Sequence, residues 1–215
     1  MIKTVLFDLD GTLTDSGEGI FNAVKYALKE MGYPIPDGNT LRKFIGPPLE
    51  KSFQNFCGMD EDTSWEAVRQ FRVYYNVTGI WENRVYDGIP ELLEKLSRAG
   101  KNLVLATSKP EVTAIRVMER FGLSKWVTKI VGSTPDPSRA TKGKVIGCAL
   151  TDFGIDPAEA IMVGDREHDV HGSAENGLKT VGVTYGYGSR EELLNAGAAA
   201  VADSPEELYR ILMEE

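Results

Sequence analysis

Val5-Leu6-Phe7-Asp8-Leu9-Asp10-Gly11-Thr12-Leu13-Thr14-Asp15 opens as an apolar strand and ends in two carboxylates that flank one leucine. Side chains two apart on a strand point the same way, so Asp8 and Asp10 begin on one face. Two like charges that close are costly unless a cation lies between them. A divalent ion such as Mg²⁺, which takes carboxylate and carbonyl oxygens, is the usual answer. A strand running into a solvated acidic turn would read the same way, so the rest of the chain has to decide.

Downstream, the sequence divides in two. From residue 15 to 83 nothing alternates like a strand. Asp15 offers a helix N-cap, with Glu18 completing a capping box. Ile20, Phe21, Val24, Leu28 and Met31 then recur at helical spacing up to Gly32. Residues 40–45, 49–56 and 64–77 read as further helices, with Pro34, Pro36 and Gly46-Pro47-Pro48 as breaks. After Asp87-Gly88 the pattern changes. Helices over 90–99, 111–121, 142–153, 167–176, 190–195 and from Ser204 onward alternate with apolar strands at 102–107, 129–131, 160–165, 179–183 and 200–201. Such alternation predicts an α/β core with a parallel sheet and helices on both faces. The core spans residues 1–14 and 84–215, and residues 15–83 form an inserted all-helical module.

Composition narrows the functional classes. The chain has 215 residues, 42% of them hydrophobic, which is enough for a real core. No apolar run approaches the roughly 20 residues of a membrane span. The N-terminus runs directly into the first strand, without the apolar segment of a signal peptide. Cys57 and Cys148 lie far apart, which fits a reducing cytoplasm better than a disulfide framework. The net charge of −8 disfavours a nucleic-acid polymer as partner. It would repel a small anion as well, so a phosphate site needs local cations.

Ligands of doubly wound sheets bind beyond the carboxyl ends of the strands. The first strand delivers Asp8 and Asp10 there, the second Thr107, Ser108 and Lys109, and the fourth Asp165 followed by Asp169. Lys142 opens the helix after the third strand, where its charge opposes the helix dipole. That misfit points to an anionic partner. A nucleophile, acidic metal ligands, a hydroxyl and a lysine are the inventory of phosphoryl transfer.

In order and position this set resembles the four motifs of the haloacid dehalogenase superfamily, across essentially the whole chain. Asp8-Leu9-Asp10-Gly11-Thr12 is similar to the first, Thr107 to the second, Lys142 to the third, and Gly164-Asp165 with Asp169 to the fourth. The resemblance implies a Rossmann-like doubly wound core with an inserted all-α cap domain. It implies Asp8 as nucleophile forming an aspartyl-phosphate, and Asp10 as acid and then base. It also implies Mg²⁺ held by the Asp8 carboxylate, the Asp10 carbonyl and Asp165, with Asp169 joining directly or through water. Thr107 and Lys142 would hold and neutralise the phosphoryl group. Gly11, Thr12, Ser108 and Lys109 are the further substrate-binding candidates, and Arg42 of the cap is a candidate for the substrate's far end.

Members that cleave carbon–halogen bonds lack the second aspartate, so Asp10 favours phosphate chemistry. Gly46-Pro47-Pro48-Leu49-Glu50 lacks the arginine often found there in sugar phosphomutases. The stretch Leu41-Arg42-Lys43-Phe44-Ile45-Gly46-Pro47-Pro48-Leu49 looks like phosphoglycolate phosphatase and 5′-nucleotidase relatives, as do Thr107-Ser108-Lys109-Pro110 and Gly186-Tyr187-Gly188. The expectation is a Mg²⁺-dependent phosphatase of a small phosphorylated metabolite, phosphoglycolate phosphatase-like, working as a monomer or homodimer. The alternatives are a 5′-nucleotidase, a sugar-phosphate mutase or phosphotransferase, and a signalling protein phosphorylated on aspartate without turnover. Response-regulator receivers share the carboxylates, Thr/Ser and Lys, but they are shorter and lack a helical insertion.

Overall fold

Thr4-Val5-Leu6-Phe7 is buried at every position, as a central parallel strand covered on both faces must be. The computed structural model describes residues 1–214. Along the chain it runs β1 (Thr4–Phe7), β2 (Thr14–Asp15), α1 (Gly17–Glu30), α2 (Gly38–Arg42), α3 (Leu49–Cys57), α4 (Glu61–Tyr75) and β3 (Arg84–Val85). It continues with α5 (Ile89–Arg98), β4 (Asn102–Pro110), α6 (Glu111–Arg120), β5 (Lys129–Ser133), α7 (Lys142–Asp152) and β6 (Ala160–Gly164). It closes with α8 (Glu167–Ala174), β7 (Lys179–Val183), α9 (Arg190–Ala196), β8 (Ala200–Ala202) and α10 (Pro205–Glu214). Two units are distinct, one made of residues 1–14 and 85 onward, the other of residues 15–84.

The first unit is an α/β core. Its six strands are parallel in the order β5-β4-β1-β6-β7-β8. The chain lays down β1, then β4 and β5 on one side, and returns to place β6, β7 and β8 on the other. The strand order therefore reverses between β1 and β6, the position where doubly wound folds bind ligands. Leu6 is paired with Val104 on one side and Met162 on the other. These three side chains join Val131, Val145 and Ile146 in one buried cluster. Complete burial of a side chain such as Leu6 contributes about 2 kcal/mol.

The second unit is helical. Ile20, Ala23, Val24, Ala27 and Leu28 form the buried stripe of α1, and α1 packs chiefly on α4 through Ala67, Val68, Phe71 and Tyr75. Phe44 meets Phe53 and Phe56 edge-on at 5.1 and 5.5 Å between ring centres.

Several expected boundaries shift. Asp15 stands one residue before Ser16, the N-cap of α1, and no capping box forms, though Asp15 Oδ1 accepts from the Gly17 N–H at 3.4 Å. Its other oxygen, Oδ2, accepts from Arg84 Nη2 at 2.8 Å and Nε at 3.1 Å. α2 begins earlier than position 40, capped by Asp37, which accepts from the Thr40 N–H at 2.8 Å. α4 begins at Glu61, where Asp60 accepts from the Thr63 N–H. In both, the aspartate immediately before the helix captures a free amide of the first turn, three residues on. β4 runs past Thr107 to Pro110, its pairing with β5 shifting between Ala106 and Pro110. Among the described residues no helix is long and apolar enough to cross a membrane.

Candidate active site

Asp8 is the first residue beyond β1, and its N–H donates to the Val163 carbonyl of β6 at 3.0 Å. Asp165 is the first residue beyond β6. Because β1 and β6 are neighbours in register, the two carboxylates emerge side by side at the reversal point. Asp169 joins them from the first turn of α8, where its Oδ2 accepts from the Arg166 N–H at 3.1 Å. One carboxylate oxygen from each of Asp8, Asp165 and Asp169 falls within 4.8 Å of the others, and all three residues are buried.

One ammonium serves this cluster. Lys142, the first residue of α7, places Nζ 2.7 Å from Asp8 Oδ1 and 2.8 Å from Asp169 Oδ1, and donates to the Ala106 carbonyl at 3.2 Å. Burial alone would lower the Lys142 pKa, but the charges of Asp169 and Asp8 outweigh it and hold the ammonium above its ordinary value. Burial raises Asp165 well above the usual carboxylate range, and the charge of Asp169 adds to this. Burial raises Asp169 too, with Lys142 opposing.

The acids are thus short of positive partners. Asp165 Oδ2 accepts from the Tyr187 N–H at 2.8 Å, while Asp165 Oδ1 is buried without a hydrogen-bond partner among the described residues. Oδ1 of Asp8 and Asp169, though within ion-pair reach of Lys142, receive no directed hydrogen bond among those residues. Buried carboxylates left in that condition are expensive. An all-oxygen set of three acids fits a hard divalent cation such as Mg²⁺.

Backbone closes tightly around Asp165. Gly11 has φ +86°, and a Cβ there would strike the Asp165 carboxylate. A Cβ at Gly186 would strike the Gly11 carbonyl and lie 2.6 Å from Asp165 Oδ2. In the sequence, Gly186-Tyr187-Gly188 stood out only by resemblance, and its contact with Asp165, a backbone amide, was not found. The two glycines of Gly186-Tyr187-Gly188 were its available signal. The brace beneath was also missed: Arg166 Nε donates to Glu192 Oε1 at 2.8 Å, and the Glu167 N–H donates to the same oxygen at 3.0 Å.

On the β4 side, Thr107 is buried and its Oγ1 accepts from the Lys109 N–H at 3.2 Å. Ser108 is half-buried. Lys109 spans both oxygens of Asp10, with Nζ 3.0 Å from Oδ1 and 2.8 Å from Oδ2. Thr12 is wholly buried, and its hydroxyl has no hydrogen-bond partner among the described residues. The core unit therefore brings together Asp8, Lys142, Asp165 and Asp169, with Gly11 against Asp165, and pairs Asp10 with Lys109, whose N–H reaches Thr107; no side-chain hydrogen bond joins Thr12 or Ser108 to this set among the described residues. Arg42 belongs to the helical unit, exposed at the last residue of α2.

Residues 5–183 match the family of haloacid dehalogenase-like hydrolases. A 5′-nucleotidase of Pseudomonas aeruginosa is 46% identical over 189 residues, covering 88% of this chain and 86% of that protein. A phosphoglycolate phosphatase of Vibrio parahaemolyticus is 28% identical, covering 98% of this chain and 96% of that protein. The crystal structure of a predicted phosphatase from Clostridium acetobutylicum superposes with a TM-score of 0.96 at 46% identity, over 100% of both chains. Sheet order, acidic cluster and sequence likeness agree, and the chain belongs to the haloacid dehalogenase-like hydrolases.

Proposed function

We propose that the protein is a Mg²⁺-dependent phosphatase of small phosphomonoesters, with the helical unit as its cap. The observation that carries this reading is the buried trio Asp8, Asp165 and Asp169, short of cations, with Lys142 2.7 Å from the Asp8 carboxylate. Asp8, the Asp10 carbonyl and Asp165 would hold Mg²⁺, with Asp169 joining directly or through water. When bound, the ion supplies positive charge to the phosphoryl oxygens and the nucleophile.

A carboxylate oxygen of Asp8 attacks phosphorus while the ester P–O bond breaks. The leaving oxygen takes its proton from Asp10. Asp8 then carries an aspartyl-phosphate. Asp10, now a carboxylate, takes a proton from water as that water attacks phosphorus. The Asp8 acyl phosphate bond breaks and inorganic phosphate leaves. Lys142 neutralises charge on Asp8 through both steps, and Thr107 donates its hydroxyl hydrogen to the phosphoryl group.

The motif resemblance favours a phosphoglycolate-like substrate. The relative named for 5′-nucleotides is the more alike of the two phosphatase relatives, at 46% against 28% identity, and this supports nucleoside monophosphates as the rival substrate. The test of the chemistry is Mg²⁺-dependent release of phosphate from p-nitrophenyl phosphate. Asp8→Asn abolishes it in a folded protein, and activity retained in that variant sinks the mechanism. Ranking phosphoglycolate, nucleoside monophosphates and sugar phosphates by kcat/KM then decides the substrate.

A further inference from the structure

We propose that Lys109 is a positioning residue for Asp10 rather than a substrate-binding group. The inference rests on the phosphatase reading, in which Asp10 is the acid and base. Lys109 lies on the far end of β4, beyond Thr107, where the strand continues to Pro110. Its ammonium reaches both Asp10 oxygens, at 3.0 and 2.8 Å, and its side chain is only 4% exposed against 16% for Asp10. A lysine so enclosed, with two of its N–H directions spent on one carboxylate, is poorly placed to reach outward for a substrate.

Asp10 has reason to need such a partner. It follows the end of β1 by three residues, beyond the six-stranded ladder, where, among the described residues, a single bridge to Thr14 pairs its backbone. Asp8, two residues before it, belongs to the buried cluster with Asp165 and Asp169, and negative charge so near would favour turning a free Asp10 side chain toward solvent. Lys142 cannot supply the counter-charge, because it is engaged by Asp8, Asp169 and the Ala106 carbonyl. The site thus holds two lysines with separate tasks. Lys142 serves the nucleophile, and Lys109 fixes the place of the Asp10 side chain, held here as the carboxylate that takes the water's proton in the second step. Proton transfer is sensitive to donor placement, and loss of a well-placed acid removes about 10²–10⁴-fold in rate.

The experiment compares Lys109→Met and Lys109→Arg in the wild-type and Asp10→Asn backgrounds. Substrates are an alkyl phosphomonoester, whose alkoxide needs protonation, and p-nitrophenyl phosphate, whose leaving group needs little. Lys109→Met lowers kcat on the alkyl ester about 10–100-fold, loses less on the aryl ester, and leaves KM within about threefold. Lys109→Arg restores most of the loss. In the Asp10→Asn background Lys109→Met adds no further loss. A raised KM with kcat unchanged, or losses that add in the double variant, overturns the proposal. A crystal structure of Lys109→Met gives a readout independent of turnover: the Asp10 carboxylate leaves its present position, and an unmoved Asp10 overturns the proposal. Failure of the phosphatase reading shows separately, as phosphate release that survives Asp8→Asn.

Discussion

The Lys142 ammonium lies 2.7 Å from Asp8 Oδ1, and both side chains are almost wholly enclosed. The same nitrogen reaches Asp169 and the Ala106 carbonyl, so one side chain ties α7 to β1, α8 and β4. Removing one partner of a buried ion pair leaves charge without compensation and costs about 3–5 kcal/mol. Lys142→Met should lower the unfolding free energy by that order in denaturant titrations and reduce kcat at least ~100-fold. Arginine does not replace it, because a planar fork cannot take the place of a compact ammonium among three acceptors. Lys142→Arg with wild-type turnover would contradict this account.

Asp165 sets stability against function. Its pKa is raised by burial and by Asp169, so without metal its charged form opposes folding. The opposition is present above the ordinary carboxylate pKa and is relieved as pH falls, because protonation then favours the folded state. Asp165→Asn should therefore melt higher than wild type at pH 7 in EDTA, and that advantage should shrink at acid pH. Adding Mg²⁺ should raise the melting temperature of wild type but not of the variant. Equal Mg²⁺ shifts in both proteins would remove Asp165 from the metal site.

Gly186 leaves no room for a side chain, since an added Cβ would collide with the Gly11 carbonyl and Asp165. Gly186→Ala should displace Asp165 and lower Mg²⁺ affinity about 10–100-fold, as loss of supporting contacts around ligands does elsewhere. Gly38 at the start of α2 has nothing within 4 Å of such a Cβ among the described residues, so Gly38→Ala is the control and should be neutral. Calorimetric Mg²⁺ titration separates the two.

Glu192 holds α8 in place through Arg166 and the Glu167 N–H. Burial would raise its pKa, but the Glu167 amide and Arg166 outweigh that and lower it. A carboxylate with a lowered folded pKa stabilises the fold above its unfolded pKa, and this stability is lost as pH falls through the folded value. Glu192→Gln should be less stable than wild type by about 1 kcal/mol at pH 7, with the gap closing below about pH 4. A gap that persists at pH 3 would mean the carboxylate charge is irrelevant.

The alternation of apolar strands and helices made the core legible, because a strand buried on both faces is nearly all apolar, as β1 after Thr4 and β6 are. Asp8, Asp165 and Lys142 were legible because each stands at an element's end, where side chains escape the ladder. The pairing of Lys109 with Asp10 was not legible, since the two lie 99 residues apart and no local pattern encodes it. The Asp165 contact of Tyr187 is made by a backbone amide, which every residue but proline possesses. Asp15 read as the N-cap because aspartates cap helices; it does accept from the Gly17 N–H, but Ser16 holds the N-cap position and Arg84, distant in sequence, takes the other carboxylate oxygen.

Asp8 is joined by its own amide to the Val163 carbonyl, in the middle of a six-stranded sheet. Amides of such central strands open to solvent only when the whole domain opens. Asp8, the proposed nucleophile, is thereby anchored to the part of the sheet expected to exchange most slowly. Heating should silence the enzyme at the moment the sheet melts, with no earlier stage in which a folded protein has lost its reactive group.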